Sequence, residues 1–217
     1  MARRTLRNLD ERILNRAIYY GAEKGISNVS TKKIAFDLKI TEPTIYVHFK
    51  TKNNLLKEAF KKASKTAFLV VESEDMSTPD KVGEVFKHHF YEVLNQAKAH
   101  KLEVIYSFNF RNCPLYEPHY DAFFDPLETI KKAILVAYHH GKNETWSLID
   151  SIVSDLVTKE IDLFINEVVQ DRVDLNQTTA LFMATLIENG VSGAKQALLS
   201  QVDEETANAL RSLPPKK

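Results

Sequence analysis

STKKIAFDLKITEPTIYVHF, residues 30–49, decides how this chain is read. The stretch predicts two short helices joined by a tight turn. Ser30 is a hydroxyl N-cap, and Ile34, Ala35 and Leu38 then put apolar groups on one face of a helix of about two turns. Lys39 and Ile40 form the turn, with Ile40 as its apolar plug. Thr41 caps the second helix, and Pro43 stands in its first turn, where a missing N–H costs nothing. Ile45 and Phe49, four apart, point inward and leave Thr44, Tyr46, Val47 and His48 outward. A hydroxyl, a phenol and an imidazole on one side of a short helix, set among Lys32, Lys33, Lys50 and Lys52, suit a duplex groove. The polar tips reach base edges and phosphates, and the lysines supply an attraction that ignores sequence. This is helix-turn-helix geometry, with the second helix as the reader. A helical hairpin with a solvated basic face would use the same residues.

Composition bounds the rest. A chain of 217 residues buries a sizeable core in one or two domains. Six Gly and seven Pro are few, which suits an all-helical chain. The single cysteine, Cys113, excludes an internal disulfide framework and fits a reducing cytosol. No apolar run approaches the roughly 18 residues that span a bilayer, so no membrane partner is expected. MARRTLRNLDER, the N-terminus, is basic but leads into no apolar signal core, and a cytoplasmic location is expected. The net charge of zero conceals an asymmetry. Residues 1–65 carry 15 Lys+Arg against 6 Asp+Glu, a balance of +9. That leaves 14 of the chain's 29 basic residues against 23 of its 29 acidic ones, a balance of −9. A polyanion-binding head on an acidic body is the reading, and chance clustering of surface lysines is the alternative.

In chain order, Arg3, Arg4 and Arg7 suggest a mobile basic arm or simply a frayed terminus. A first helix is expected from about Leu9 to Lys24, with Ile13, Leu14, Ala17, Ile18 and Gly21 in its buried stripe and Gly25 as its stop. After residues 30–49 a fourth helix opens near Thr51 and buries Leu55, Leu56, Ala59 and Phe60. Lys52 stands in its first turn, where exposed N–H groups and a cation hold a phosphate together.

Residues 11–60 resemble the DNA-binding domain of the TetR family of bacterial transcriptional regulators. The resemblance rests on Gly25, Ser30, Ile34-Ala35, Thr41, Thr44-Ile45-Tyr46, His48-Phe49 and Lys52, met at fixed spacing. It covers about the first quarter of the chain. It implies that Thr44, Tyr46, His48 and Lys52 contact the DNA backbone and that Glu42 and Pro43 tune sequence. Ser30, Lys32 and Thr41 complete the candidate DNA-binding set. Two positions depart from the family pattern, both commonly glycine: Lys39 in the turn and Pro43 before the threonine. Lys39 then has to adopt a conformation glycine takes more cheaply.

The segment SEDMSTPD, residues 73–80, is the clearest break, and a boundary near residue 75 divides a DNA-binding domain (1–75) from a helical body (76–217). Body helices are expected over 79–98, 101–112, 116–140, 145–170, 176–200 and 203–212. Between Phe86 and Trp146 the chain is rich in aromatics. Most serve as core, yet phenols and indoles beside an arginine also line apolar ligand cavities. The resembled family holds an inducer pocket in this region. The candidate ligand residues are Phe86, Phe90, Tyr106, Phe110, Arg111, Tyr116, Phe123 and Trp146. His88-His89 and His139-His140 cannot chelate one ion locally, because neighbours on a helix point about 100° apart, and no metal or cofactor is expected.

Two long apolar stripes follow, from Ile149 to Val168 and from Met183 to Leu198. An interior helix pair of a monomer would look the same. In the resembled family these helices pair with their copies across a two-fold axis. The candidate dimer residues are Ile152, Leu156, Phe164, Met183, Ile187, Gly190 and Ala194. No phosphate-binding glycine loop, HExxH, GxSxG or partnered carboxylate pair occurs, and Cys113 beside Pro114 has no evident base, so catalysis is set aside. The expected fold is all-α: a three-helix helix-turn-helix domain followed by a helical ligand-binding and dimerisation domain. The expected function is a homodimeric repressor that binds a palindromic operator in double-stranded DNA and is released by a small, largely apolar or aromatic effector. The alternative is a DNA-bound adaptor whose body docks a protein partner.

Overall fold

The computed structural model describes residues 2–67, 90–117, 119 and 148–200. The fold is all-α, and among the described residues no strand occurs. Helix α1 spans Ala2–Lys24, and one 3-10 turn, Ile26–Asn28, follows it. Then come α2 (Thr31–Leu38), α3 (Glu42–Phe49) and α4 (Lys52–Ala67). Residues 90–99 form α5. Helices α6 (Lys101–Arg111), α7 (Leu148–Val169) and α8 (Gln177–Ser200) complete the described elements. The basic residues ahead of Leu9, expected as an arm, continue α1 back to Ala2, because nothing in ARRTLRN breaks a helix.

The chain forms two compact units, Met1–Leu69 with Gln96–Phe124, and Val70–Asn95 with Asp125–Lys217. The first holds the helix-turn-helix together with α6, which returns to pack on α1 and α4. Ile13, Ala17 and Ile18 of α1, Leu55, Leu56, Ala59 and Phe60 of α4, and Val104, Tyr106 and Phe110 of α6 are buried in its core. Each large side chain so buried contributes on the order of 1.5–3 kcal/mol. Phe60 and Phe110 stack with ring centroids 4.6 Å apart, and Tyr116 meets Phe60 edge-on at 5.8 Å. The Tyr106 ring packs against α1 where Gly21 has no side chain. A Cβ there would stand 2.3 Å from Tyr106 Cε2. The Tyr106 hydroxyl donates to the Leu56 carbonyl at 2.9 Å, and Asn109 Nδ2 donates to the Gly21 carbonyl at 3.0 Å. Burial pushes the Tyr106 phenol far above its ordinary pKa, so it stays a neutral donor.

Helix ends follow their residues. Gly25 closes α1 at φ +82°, a backbone region that side chains rarely enter. At the end of α2, Lys39 takes the left-handed conformation (φ 55°, ψ 42°). Its N–H donates to the Phe36 carbonyl at 3.1 Å and the Ile40 N–H to the Ala35 carbonyl at 3.0 Å, the pair of bonds that makes a Schellman stop.

In the second unit α7 and α8 pack on each other across the short connection 170–176. Ile161, Ile165 and Val168 of α7 and Ala180, Met183, Ala184 and Ile187 of α8 are buried. Helix α7 ends on the same kind of stop, with Asp171 at φ 55°. Arg172 grips Glu167 with two bonds of 2.7 Å and holds that carboxyl below the usual carboxylate range. Asn176 Oδ1 caps α8 by accepting from the Thr179 N–H at 2.9 Å.

Two substitutions test this account by thermal or urea denaturation. Gly21→Ala drives a methyl into the buried Tyr106 ring and is expected to cost about 1–3 kcal/mol. Lys39→Gly removes the left-handed strain and is expected to raise stability by about 0.5–1 kcal/mol.

Candidate nucleic-acid interface

Helices α2 and α3 are eight residues each, too short to persist alone in water. Apolar anchors hold them to the rest of the unit: Ile34 and Ala35 of α2 and Ile45 and Phe49 of α3 are buried. Polar ties complete the attachment. The Tyr20 hydroxyl of α1 donates to the Asp37 carboxylate of α2, and Arg16 Nε lies 3.5 Å from the same carboxylate. That bond to Asp37 raises the Tyr20 phenol above its ordinary range. His48 Nδ1 of α3 pairs with the Asp10 carboxylate of α1.

With its inner face anchored, α3 turns Pro43, Tyr46 and Val47 to solvent, Val47 at 71% exposure and Tyr46 at 37%. A short helix presenting a phenol and a branched methyl pair suits groove contacts, the methyls matching the thymine methyl group. Lys32 and Lys33 of α2, Lys39 in the turn and Lys50 at the end of α3 are exposed. Lys50 ends α3 at φ 62°, ψ −53°, and the Thr51 N–H donates across it to the Phe49 carbonyl at 2.7 Å. This is a tight three-residue turn that a lysine enters only under strain, and it delivers the chain into α4.

The other candidate residues fall as follows. Ser30 caps α2, its Oγ accepting from the Lys33 N–H at 3.4 Å. Thr41 opens α3 but makes no side-chain cap bond, which corrects the expected cap; its hydroxyl instead meets that of Thr44 at 2.9 Å. His48, expected to face outward, is turned against α1 because Asp10 offers its imidazole a carboxylate. Glu42 Oε1 accepts from Thr31 Oγ1 at 2.6 Å, and Thr31 Oγ1 lies 3.2 Å from the Tyr46 hydroxyl. Lys52 Nζ donates to the Ser27 carbonyl at 3.3 Å, joining α4 to the turn before α2. Thr51 caps that helix, its Oγ1 accepting from the Asn54 N–H at 3.1 Å, where the sequence placed the start.

Sequence reading missed Thr31, Asp10 and Phe36. Thr31 looked like an ordinary first residue of a helix. Asp10 is 38 positions from its partner, so no local pattern links them. Phe36 stands 82% exposed on α2, on the same face as Lys32 and Lys33, against the rule that phenylalanine points inward.

The candidate ligand and dimer residues divide between the two units. Tyr106, Phe110 and Tyr116 lie together in the first, where Tyr106 and Phe110 are fully buried, and Arg111 is half-exposed at the end of α6. Phe90 lies in the second, edge-on to Phe164 at 6.4 Å. Phe86, Phe123 and Trp146 lie outside the described residues, as do both histidine pairs. Of the dimer candidates, Met183 and Ile187 are buried within the chain's own α7–α8 packing. Leu156 and Gly190 are exposed, joined by exposed Leu163, Phe182 and Leu186. Ile152 and Ala194 lie on the same helices with side chains outside the described ones.

Anchored α2, a solvent-facing α3 and a basic surround define a helix-turn-helix DNA-binding head on a helical body. Residues 13–59 match the family model described as "Bacterial regulatory proteins, tetR family", so the head is similar to the members of that family. Solved structures carry the same fold. A TetR family transcription regulator from Marinobacter aquaeolei VT8 aligns at TM-score 0.63 and 15% identity, over 85% of this chain and 97% of that one. A TetR family regulator, PfmR, from Thermus thermophilus aligns at 0.58 and 16%, over 82% and 97%. A TetR-like regulator from Rhodococcus sp. RHA1 aligns at 0.57 and 14%, over 84% and 95%. At these identities the likeness is one of fold. Each of these three is described as a transcription regulator. Among curated proteins, none matches the chain. Among the described residues, no helix is long and apolar enough to cross a membrane.

Proposed function

We propose that the protein is a homodimeric repressor in the bacterial cytoplasm, which binds a palindromic operator through its helix-turn-helix. The observation that carries this reading is α3, held by buried Ile45 and Phe49 and presenting Pro43, Tyr46 and Val47 to solvent, with exposed lysines on α2, in the turn and at its own end. On this reading residues 1–75 bind DNA and residues 76–217 dimerise and take up an effector. A small, largely apolar molecule prefers a spacing of the two heads that does not fit successive major grooves, and so shifts the population off DNA.

Dimerisation through α7 and α8 is supported by the apolar side chains they expose. Leu156 and Leu163 share one side of α7, and Phe182, Leu186, Gly190 and Gly193 one side of α8. To read a palindrome, the two heads of such a dimer have to sit about one helical turn of DNA apart, roughly 34–36 Å. An adaptor that docks a protein partner and holds no small molecule is the second reading. It is favoured by the full burial of Tyr106 and Phe110 in ring-on-ring packing, which is filled core. A melting screen against hydrophobic small molecules separates the two: a stabilising compound supports the repressor, and none across a broad panel supports the adaptor.

Selection of bound sequences from a random duplex library by purified protein tests the main reading. An enriched palindrome is expected, and Tyr46→Ala and Lys52→Ala should each weaken binding by roughly tenfold or more. Enrichment of no sequence defeats the reading. In sedimentation, the double variant Phe182→Lys with Leu186→Lys should turn a dimer into a folded monomer.

A further inference from the structure

We propose that Thr31, standing behind the reading helix, sets the hydrogen-bonding sense of both Glu42 and Tyr46, so that α3 offers acceptors to DNA and selects bases by their amino groups. The inference rests on the DNA-binding reading above and deepens it. Thr31 is the first residue of α2 and only 6% exposed. Its Oγ1 donates to Glu42 Oε1 at 2.6 Å and lies 3.2 Å from the Tyr46 hydroxyl. A threonine hydroxyl carries one proton, and an ionised carboxylate only accepts. The threonine proton therefore belongs to Glu42, and the second contact has to use the phenol proton. The relay runs one way: Tyr46 O–H to Thr31, Thr31 O–H to Glu42.

The consequence falls on the solvent side. Tyr46 is 37% exposed, and with its proton committed to Thr31 it shows only lone pairs to a ligand. Glu42, in the first turn of α3, likewise offers only lone pairs. Neither group suits a phosphate oxygen, nor the O6 and N7 of guanine or the O4 of thymine, all of which accept. Both suit the N4 amino group of cytosine and the N6 amino group of adenine, which donate into the major groove. Contact of the Tyr46 proton with a phosphate, which the family resemblance implies, requires the phenol to release Thr31. Attraction to the backbone falls instead to the surrounding lysines.

Library selection with the full chain and its Thr31→Val, Thr31→Ser and Glu42→Gln variants tests the relay, with circular dichroism to check folding. The wild type should prefer adenine or cytosine over guanine or thymine on one strand at a position in each half-site, by roughly tenfold. Glu42→Gln, which adds a donor, should relax that position toward guanine and thymine. Thr31→Val, which frees the phenol proton and unties Glu42, should change the base preference at the same position although Thr31 is buried. Thr31→Ser, which keeps the hydroxyl, should restore it. A selected sequence identical in the wild type, Thr31→Val and Glu42→Gln, with affinity alone reduced, overturns the relay while leaving the DNA-binding reading intact. A wild type that enriches no sequence overturns both.

Discussion

One contact carries the head: the Tyr106 ring lies on α1 at the position where Gly21 has no side chain. The approach is too close for any other residue at that point. It brings the Tyr106 hydroxyl to the Leu56 carbonyl and Asn109 to the Gly21 carbonyl, so that one helix, α6, ties α1 and α4 together. A buried phenol without a partner would cost several kcal/mol, and here its proton is used. The helix-turn-helix is therefore mounted on a platform of three helices, one of which comes from beyond the polar break at residues 73–80.

On that platform α2 and α3 are held more by tethers than by their own helical tendency. Eight-residue helices do not persist in isolation. Ion pairs and hydrogen bonds from α1 reach both, Asp10 to His48 and Tyr20 to Asp37. Two lysines accept positive φ at the ends of α2 and α3. The strain sits where the chain must turn sharply on either side of the reading helix, and the buried anchors Ile34, Ile45 and Phe49 compensate for it. What results is a presented surface whose polar tips already have defined partners before any DNA arrives. Such preorganisation lowers the entropy lost on binding.

The second unit shows the complementary problem. Its helices α7 and α8 satisfy each other along one face and leave Leu156, Leu163, Phe182 and Leu186 in solvent, Phe182 at 62% exposure. These exposed apolar groups are the ones that the proposed second copy would cover. Glu160 sits beside this region, its carboxylate 3.6 Å from where a Gly190 Cβ would stand, and burial raises its pKa.

Much of the head was legible in the order of its residues. Hydroxyl caps, apolar spacing at three and four, and a proline in the first turn are local rules, and they located α2, α3 and the strained turn at Lys39 to within a residue. The charge split pointed to a polyanion for the same reason, since formal charge needs no fold. Tertiary structure alone decided that His48 turns inward, because Asp10, 38 positions away, meets it only in the folded chain. It alone joined Thr31 to Glu42 and Tyr46, residues on different helices, and it alone returned α6 to the head. For the second unit, periodicity found two apolar stripes, but a stripe has the same spacing whether its own chain or another covers it. Met183 and Ile187 went to the first and Leu186 remained exposed, a division set by the rotation of one helix against the other, which no single helix encodes.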